Sequence, residues 1–247
     1  MVRRVFRALL HRLPPRWLAT LEYYLRPSVR EPSGGPLNGQ RVRQQIVLEL
    51  LRAVPFEAIV ETGTYRASST EFFATHSRVP VHTVESSPRF FYYAKLRFRR
   101  RPRLQLALGD SRQFLRTLAK DPTFPKQRVF FYLDAHWYDD LPLREEVELI
   151  ASSWNDAAIM IDDFEVPGDT GYGFDNYGPD KRLCLEYLPP LSSLGMTAYF
   201  PAVPSEKETG ARRGCVVLAD FALADRMASL QLLRPHHRDS ARPSSQR

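Results

Sequence analysis

Long apolar runs and cysteines are scarce in this 247-residue chain. No stretch approaches the roughly 18 apolar residues of a membrane span, and Pro14, Pro15 and Arg16 interrupt the apolar N-terminal stretch. We therefore expect neither a transmembrane helix nor a signal peptide. The two cysteines, Cys184 and Cys215, have no paired spacing and are expected to be buried reduced thiols, which favours a cytoplasmic chain.

The charge of the chain is unevenly distributed. Thirty-five Lys and Arg residues against 28 Asp and Glu give a formal net charge of +7. Much of the excess lies in residues 3–16 and 234–247, so it says little about the surface of the folded domain. The length suits one α/β domain with tails. We predict a basic amphipathic extension and linker over 1–39, one domain over 40–232 and a basic disordered tail over 233–247.

Short apolar runs alternate with helical patterns through the predicted domain. Five such runs lie at residues 56–60, 81–84, 104–107, 129–133 and 157–161. Repeated strand-then-helix units of this length predict a doubly wound, parallel α/β sheet with helices on both faces. Two later runs, 197–200 and 214–219, are predicted to form an antiparallel pair at one edge. The expected fold is Rossmann-like, with about seven strands.

Acidic residues follow two of these predicted strands. Asp134 and His136 come directly after the fourth run, and Asp162 and Asp163 end the fifth. Parallel strands bring these side chains to one carboxyl edge, where α/β sheets bind ligands. Three neighbouring carboxylates repel one another, so the pattern favours a hard divalent cation, Mg²⁺ first. The alternative is that Asp134 caps a helix and the Asp162–Asp163 pair is a solvated turn.

The first predicted strand leads into a turn suited to an adenosine-bearing ligand. The strand ends at Glu61, Gly63 lets a ligand approach the backbone, and the next helix begins beside Ser69. Ala67 and Ser68 stand where a dinucleotide fingerprint has its third glycine. This difference favours a ligand without a pyrophosphate.

The second and third predicted strands also end in polar residues. Glu85 is positioned to accept both hydroxyls of a ribose. Asp110, with Ser111, is positioned for the exocyclic amine of adenine. Each residue alone is also a common turn or cap residue. Taken as a set in strand order, they favour S-adenosylmethionine over NAD.

These motifs resemble those of class I S-adenosylmethionine-dependent methyltransferases, and among them the metal-dependent O-methyltransferases of the catechol and macrocin types. The resemblance spans roughly residues 40–219. It implies a cofactor pocket lined by Gly63, Tyr65, Ser69, Glu85, Asp110 and Ser111, and Mg²⁺ held by Asp134, Asp162 and Asp163. The lysine base of the catechol enzyme has no counterpart, because Tyr138 stands at that place. His136 stands where the macrocin-type enzymes tend to carry their base.

The expected reaction is transfer of a methyl group from S-adenosylmethionine to a hydroxyl of a sugar, polyketide or phenolic acceptor held on Mg²⁺, with His136 removing the proton. One alternative is a binding protein that keeps the cofactor fold without methylating. Another is a nucleic-acid methyltransferase, although the domain has no aromatic-and-basic stripe, so we expect no nucleic-acid partner. Two interpretations of residues 1–27 are open. Either they contact an anionic membrane or a partner, or they cover the domain.

Overall fold

The computed structural model describes residues 13–99, 101, 103–136 and 140–236. Its eight strands are β1 (Ala58–Thr62), β2 (Val81–Glu85), β3 (Leu104–Leu108), β4 (Val129–Leu133), β5 (Ala158–Asp162), β6 (Met196–Pro201), β7 (Cys215–Asp220) and β8 (Leu233–Pro235). They form one sheet in the order β3-β2-β1-β4-β5-β7-β6-β8. Strands β1 to β5 are parallel, and the last three are antiparallel to their neighbours. The predicted Rossmann-like fold is confirmed.

Seven α-helices of the described residues surround this sheet. They are α1 (Pro15–Leu25), α2 (Arg41–Ala53), α3 (Ser68–His76), α4 (Pro88–Arg97), α5 (Ser111–Lys120), α6 (Leu143–Ser153) and α7 (Ala224–Ala228). None of the helices described is long and apolar enough to cross a bilayer. Helix α2 follows a helical repeat that buries Ile46, Val47 and Leu50.

Both faces of the sheet are covered. Successive residues of β4 alternate between two apolar layers, so Phe131 packs in the layer that contains α5 and α6, whereas Phe130 packs in the layer that contains α2 and α3. Ile159 and Met160 of β5 alternate in the same way. Burial on both faces explains why these strands are nearly continuous apolar runs in the sequence.

The strand register brings the polar strand ends together. Thr62 of β1 pairs with Leu133 of β4, and Leu133 pairs with Ile161 of β5. The residues that follow, including Gly63, Asp134 and Asp162, therefore lie at one edge of the sheet.

Several segments differ from the sequence prediction. Leu233–Pro235, assigned to the disordered tail, pairs with β6 as the edge strand β8. Residues 181–194 contain only two 3₁₀ turns, Leu185–Tyr187 and Leu191–Leu194, and the prolines at 189 and 190 prevent a helix from continuing through this segment. Of the amphipathic extension, α1 is described, and residues 1–12 lie outside the described residues. Residues 237–247 of the tail lie outside them as well. Cys184 and Cys215 are buried and unpaired.

Candidate active site

A cavity of about 700 Å³ opens at the carboxyl edge of the parallel strands. Most of the site residues predicted from the sequence line it: Gly63, Tyr65, Glu85, Asp110, Ser111, Asp134, His136 and Asp163. Glu61, Ser69 and Asp162 lie outside its lining. One space therefore joins the predicted adenosine-binding residues to most of the predicted metal-binding group.

The turn after β1 depends on unusual backbone conformations. Gly63 is left-handed, with φ +89°, and a Cβ at this position would clash with the backbone carbonyl of Asp134. This glycine is required so that the loops following β1 and β4 can touch. Tyr65 and Ala67 are also left-handed, with φ values of 47° and 64°. Ala67 therefore adopts the left-handed backbone conformation that glycine adopts easily, and this costs about 1 kcal/mol of strain.

Glu85 joins this turn to the end of β2. Its carboxylate accepts hydrogen bonds from the backbone N–H groups of Tyr65 and Ser87, both at 2.7 Å. Burial raises the pKa of the Glu85 carboxyl to about 7. Each carboxylate oxygen can accept more than one hydrogen bond, so Glu85 can still receive hydroxyl donors from a ligand in the cavity.

Two predicted cofactor residues lie behind the cavity wall. The buried Glu61 carboxylate accepts hydrogen bonds from the hydroxyls of Thr70 and Thr83, the latter at 2.7 Å, and burial raises its pKa to about 7. The Ser69 hydroxyl accepts a hydrogen bond from the backbone N–H of Leu37 at 3.0 Å. In this structure both side chains support the turn from behind.

The end of β3 contributes Asp110 and Ser111. Asp110 caps α5 by accepting the Gln113 N–H at 3.1 Å, and its ion pair with Arg112 at 2.6 Å lowers the pKa of its carboxyl. Ser111 is buried next to the carboxyl of Glu146. Both residues line the cavity while anchoring the start of α5.

Asp134, His136 and Asp163 converge on one point of the cavity. One oxygen of each carboxylate and one ring nitrogen of His136 lie within 4.8 Å of one another. Burial, with repulsion from neighbouring carboxylates, raises the pKa of Asp134 and brings that of Asp163 to about 7. His136 is only 4% exposed, and its Nε2 has no hydrogen-bond partner among the described residues.

Asp162 was predicted as a third metal ligand but faces a different partner. One carboxylate oxygen accepts bonds from the guanidinium of Arg43 and from the backbone N–H of Asp163. The other accepts bonds from the hydroxyl of Tyr132 and from the Asn38 amide at 3.0 Å. Both oxygens are thus engaged, and the third member of the converging group is His136.

Two arginines near the cavity were not predicted from the sequence. Burial disfavours the charge of Arg43, yet Asp162 holds the guanidinium pKa above its usual value. Arg213 donates to Asp163 at 2.7 Å and also pairs with Asp175. Arg43 shares the buried face of α2 with Ile46 and Leu50, so an arginine within the apolar helical repeat was the available signal.

The loop after β5 completes the cavity. Asp175 and Tyr177 of this loop were not predicted as site residues from the sequence. The Tyr177 hydroxyl contacts both the Asp175 carboxylate and, at 3.2 Å, the backbone carbonyl of His136, and Asp175 Oδ2 lies 3.9 Å from His136 Nε2. This loop therefore fixes the segment that carries His136.

The fold is shared with solved O-methyltransferases. An O-methyltransferase from Bacillus cereus, in complex with S-adenosylhomocysteine, aligns at 19% identity and a TM-score of 0.51 over 72% of this chain and 81% of its own. TomG from Streptomyces achromogenes, an O-methyltransferase of tomaymycin synthesis in complex with S-adenosylmethionine, aligns at 17% identity and a TM-score of 0.52 over 72% and 79%.

CalS10 from Micromonospora echinaspora, an amino pentose methyltransferase of calicheamicin biosynthesis with bound S-adenosylmethionine, aligns at 16% identity and a TM-score of 0.50 over 72% of this chain and 89% of its own. No protein-family model and no curated protein matches the sequence. The chain therefore has the Rossmann-like fold of S-adenosylmethionine-dependent O-methyltransferases.

Proposed function

We propose that this protein is a Mg²⁺-dependent O-methyltransferase that moves a methyl group from S-adenosylmethionine to a hydroxyl of a small sugar, polyketide or phenolic acceptor. The observation that carries the proposal is the shared cavity, in which Glu85 and the turn after β1 face the converging group of Asp134, His136 and Asp163. A donor and an acceptor bound there would lie side by side, which supplies much of the rate of a group transfer.

The donor would occupy the part of the cavity near β1, β2 and β3. Glu85 would accept the ribose hydroxyls, Asp110 and Ser111 would face the adenine, and Gly63 and Tyr65 would line the pocket. The absence of a third glycine is consistent with a cofactor that has no pyrophosphate. The cofactors bound in the three solved relatives of this fold support the same assignment.

The charges around the converging group suit one divalent cation. Four carboxylates, Asp134, Asp162, Asp163 and Asp175, face two guanidiniums, Arg43 and Arg213, so two negative charges remain uncompensated. Asp134 and Asp163 offer the oxygen ligands that Mg²⁺ prefers. Asp162, which is paired with Arg43, would support these two ligands without contacting the ion. A bound magnesium ion would supply positive charge that lowers the pKa of the acceptor hydroxyl.

Side chains of this protein would carry out the remaining steps of the methyl transfer. The acceptor oxygen attacks the methyl carbon in line with the departing sulfur, so the sulfonium becomes the neutral thioether of S-adenosylhomocysteine. His136 takes the hydroxyl proton through Nε2, which has no hydrogen-bond partner among the described residues. Tyr177 holds the backbone of His136 in place. The products are a methyl ether, S-adenosylhomocysteine and a proton.

Cofactor binding tests the first half of this proposal. Calorimetry with S-adenosylmethionine and S-adenosylhomocysteine should detect binding of both, and Glu85→Gln should weaken each about tenfold or more, because a hydrogen bond to a charged acceptor contributes roughly 1.5–3 kcal/mol. Glu148→Gln, on the exposed face of α6, is the matched control and should bind like the parent. An absence of binding by the parent protein would refute the proposal. Binding without transfer to any hydroxyl acceptor would instead favour the non-catalytic alternative.

Replacing His136 separates a proton acceptor from a metal ligand. We expect His136→Gln to lower kcat about 100-fold or more, as loss of a general base does, with little change in KM. Calorimetric Mg²⁺ affinity should stay within about twofold, because Mg²⁺ selects oxygen over imidazole ligands. A large loss of Mg²⁺ affinity in this variant would identify His136 as a ligand and remove it as the base.

A further inference from the structure

The outer face of α1 is an exposed apolar surface. Trp17 is 63% exposed, Tyr24 55% and Leu25 71%, and Leu21 is exposed beside them. Their spacing of four, seven and eight residues from Trp17 places all four on one side of the helix. Together with Leu13 they make up five of the eight large exposed hydrophobic residues in the described chain, so this exposure is concentrated in one place.

The opposite face of α1 is fixed to the domain. Ala19 is fully buried, and Tyr23 packs edge-on against Tyr93 of α4 with ring centroids 5.3 Å apart. The buried Glu22 carboxylate pairs with Arg66 at 2.5 Å and with Arg89 at 2.6 Å. These contacts determine which side of the helix faces the domain, so the apolar residues of α1 are on the side that faces away from it.

The exposed charges at the two ends of α1 are of one sign. Arg16 and Arg26 are exposed at the two ends of α1, and the only acidic residue in the stretch 13–30 is Glu22, which is turned inward. The sequence of residues 1–12 adds four more arginines and no acid. A basic and apolar surface of this kind complements the phosphates and carboxylates of anionic lipid headgroups over an apolar interior.

We propose that the outer face of α1 docks the protein on an anionic lipid surface. Trp17, Leu21 and Leu25 would enter the boundary between headgroups and acyl chains, with Tyr24 at headgroup level, while Arg16 and Arg26 contact the headgroups. A second copy of this chain suits the surface less well, because pairing two such faces would bring two sets of arginines together.

Docking through α1 would bring one wall of the cavity close to the lipid. Arg66 follows Tyr65 and Arg89 precedes Phe90, and the side chains of Tyr65 and Phe90 line the cavity with ring centroids 4.4 Å apart. Glu22 thus connects the docking helix to the cavity wall through one ion pair on each side. The protein would carry out its chemistry within a few side chains of the headgroups.

Vesicle sedimentation of the full chain tests this proposal. We expect binding to phosphatidylcholine vesicles containing phosphatidylserine to exceed binding to pure phosphatidylcholine about tenfold or more, and to fall with added salt. Trp17→Ser with Leu25→Ser should reduce this binding about tenfold or more, because both exposed side chains lose their place in the lipid. Phe221→Ser, which removes a ring that is 53% exposed and lies outside α1, directly after β7, is the control and should bind like the parent.

A charge-reversed variant keeps the test decisive if the apolar double variant folds poorly. Arg16→Glu with Arg26→Glu retains the apolar residues and should remove the preference for anionic over neutral vesicles, while circular dichroism checks the fold. Equal binding to both vesicle types, or unchanged binding by both variants, would overturn the proposal. So would a dimer, seen by light scattering, that the Trp17→Ser and Leu25→Ser changes dissociate, since the occupant would then be a second copy.

Discussion

Asp134→Asn is expected to abolish Mg²⁺-dependent methyl transfer and, in the presence of a chelator, to make the folded protein more stable. The two effects have one origin. Burial and the carboxylates of Asp162 and Asp163 disfavour the charge of Asp134, so the folded protein without a cation bears an electrostatic cost that asparagine removes. The same negative charge is what holds the ion, and its loss should lower turnover about 100-fold or more, since such an ion contributes several kcal/mol.

Thermal unfolding and an activity assay, each with Mg²⁺ and with chelator, measure this pair of effects. Added Mg²⁺ should raise the Tm of the parent and leave that of Asp134→Asn unchanged. Asp225→Asn, an exposed carboxylate on α7 outside the cavity, should respond to Mg²⁺ like the parent. Full methyl transfer by the parent protein in chelator would contradict the metal mechanism and leave the cofactor assignment standing.

Arg43→Met should destabilise the protein by about 3–5 kcal/mol, because removing one partner of a buried ion pair leaves an uncompensated charge. Arg43 and Asp162 are both fully buried, and Arg43 also donates to the backbone carbonyls of Arg213 and Gly214, the latter at 2.9 Å. Urea unfolding gives the change in free energy. Arg116→Met is the matched control: its ion pair with Glu145 at 3.1 Å is exposed, and such pairs contribute about 0–1 kcal/mol.

The double variant Arg43→Met with Asp162→Asn extends this test. It removes the buried negative charge as well, so it should recover much of the lost stability. If Mg²⁺ affinity survives in the double variant, Asp162 serves as a partner of Arg43, and the cation depends on Asp134 and Asp163. A stability loss in Arg43→Met no larger than in Arg116→Met would contradict the buried pair.

The fold could be predicted from the sequence because each strand that builds it has a local pattern of apolar residues. Apolar runs such as 129–133 and 157–161 are buried on both faces, and the helices between them follow the 3.6-residue period, so the parallel sheet and its polar edge could be predicted together. Edge strand β8 was missed because three residues ending in proline carry almost no periodic signal.

The site was predictable only where its residues follow strands. Asp134, His136 and Asp163 meet because each lies just beyond a strand end, whereas Arg43 and Arg213 reach the same edge from a helix and a hairpin loop. Long-range ion pairs have no periodicity in a sequence. For this reason the partner of Asp162 could not be foreseen, and three acidic residues at adjoining strand ends were treated as equivalent.

Arg43 and the backbone of Arg213 are joined across 170 positions of the chain. A nascent polypeptide that extends to Asp175 carries all four carboxylates at the converging group but only one of the two guanidiniums, because Arg213 follows later, just before β7. The second guanidinium at this cavity is thus gained late in synthesis, and a product terminated before Arg213 would retain an acidic cleft in which Arg43 alone faces the carboxylates.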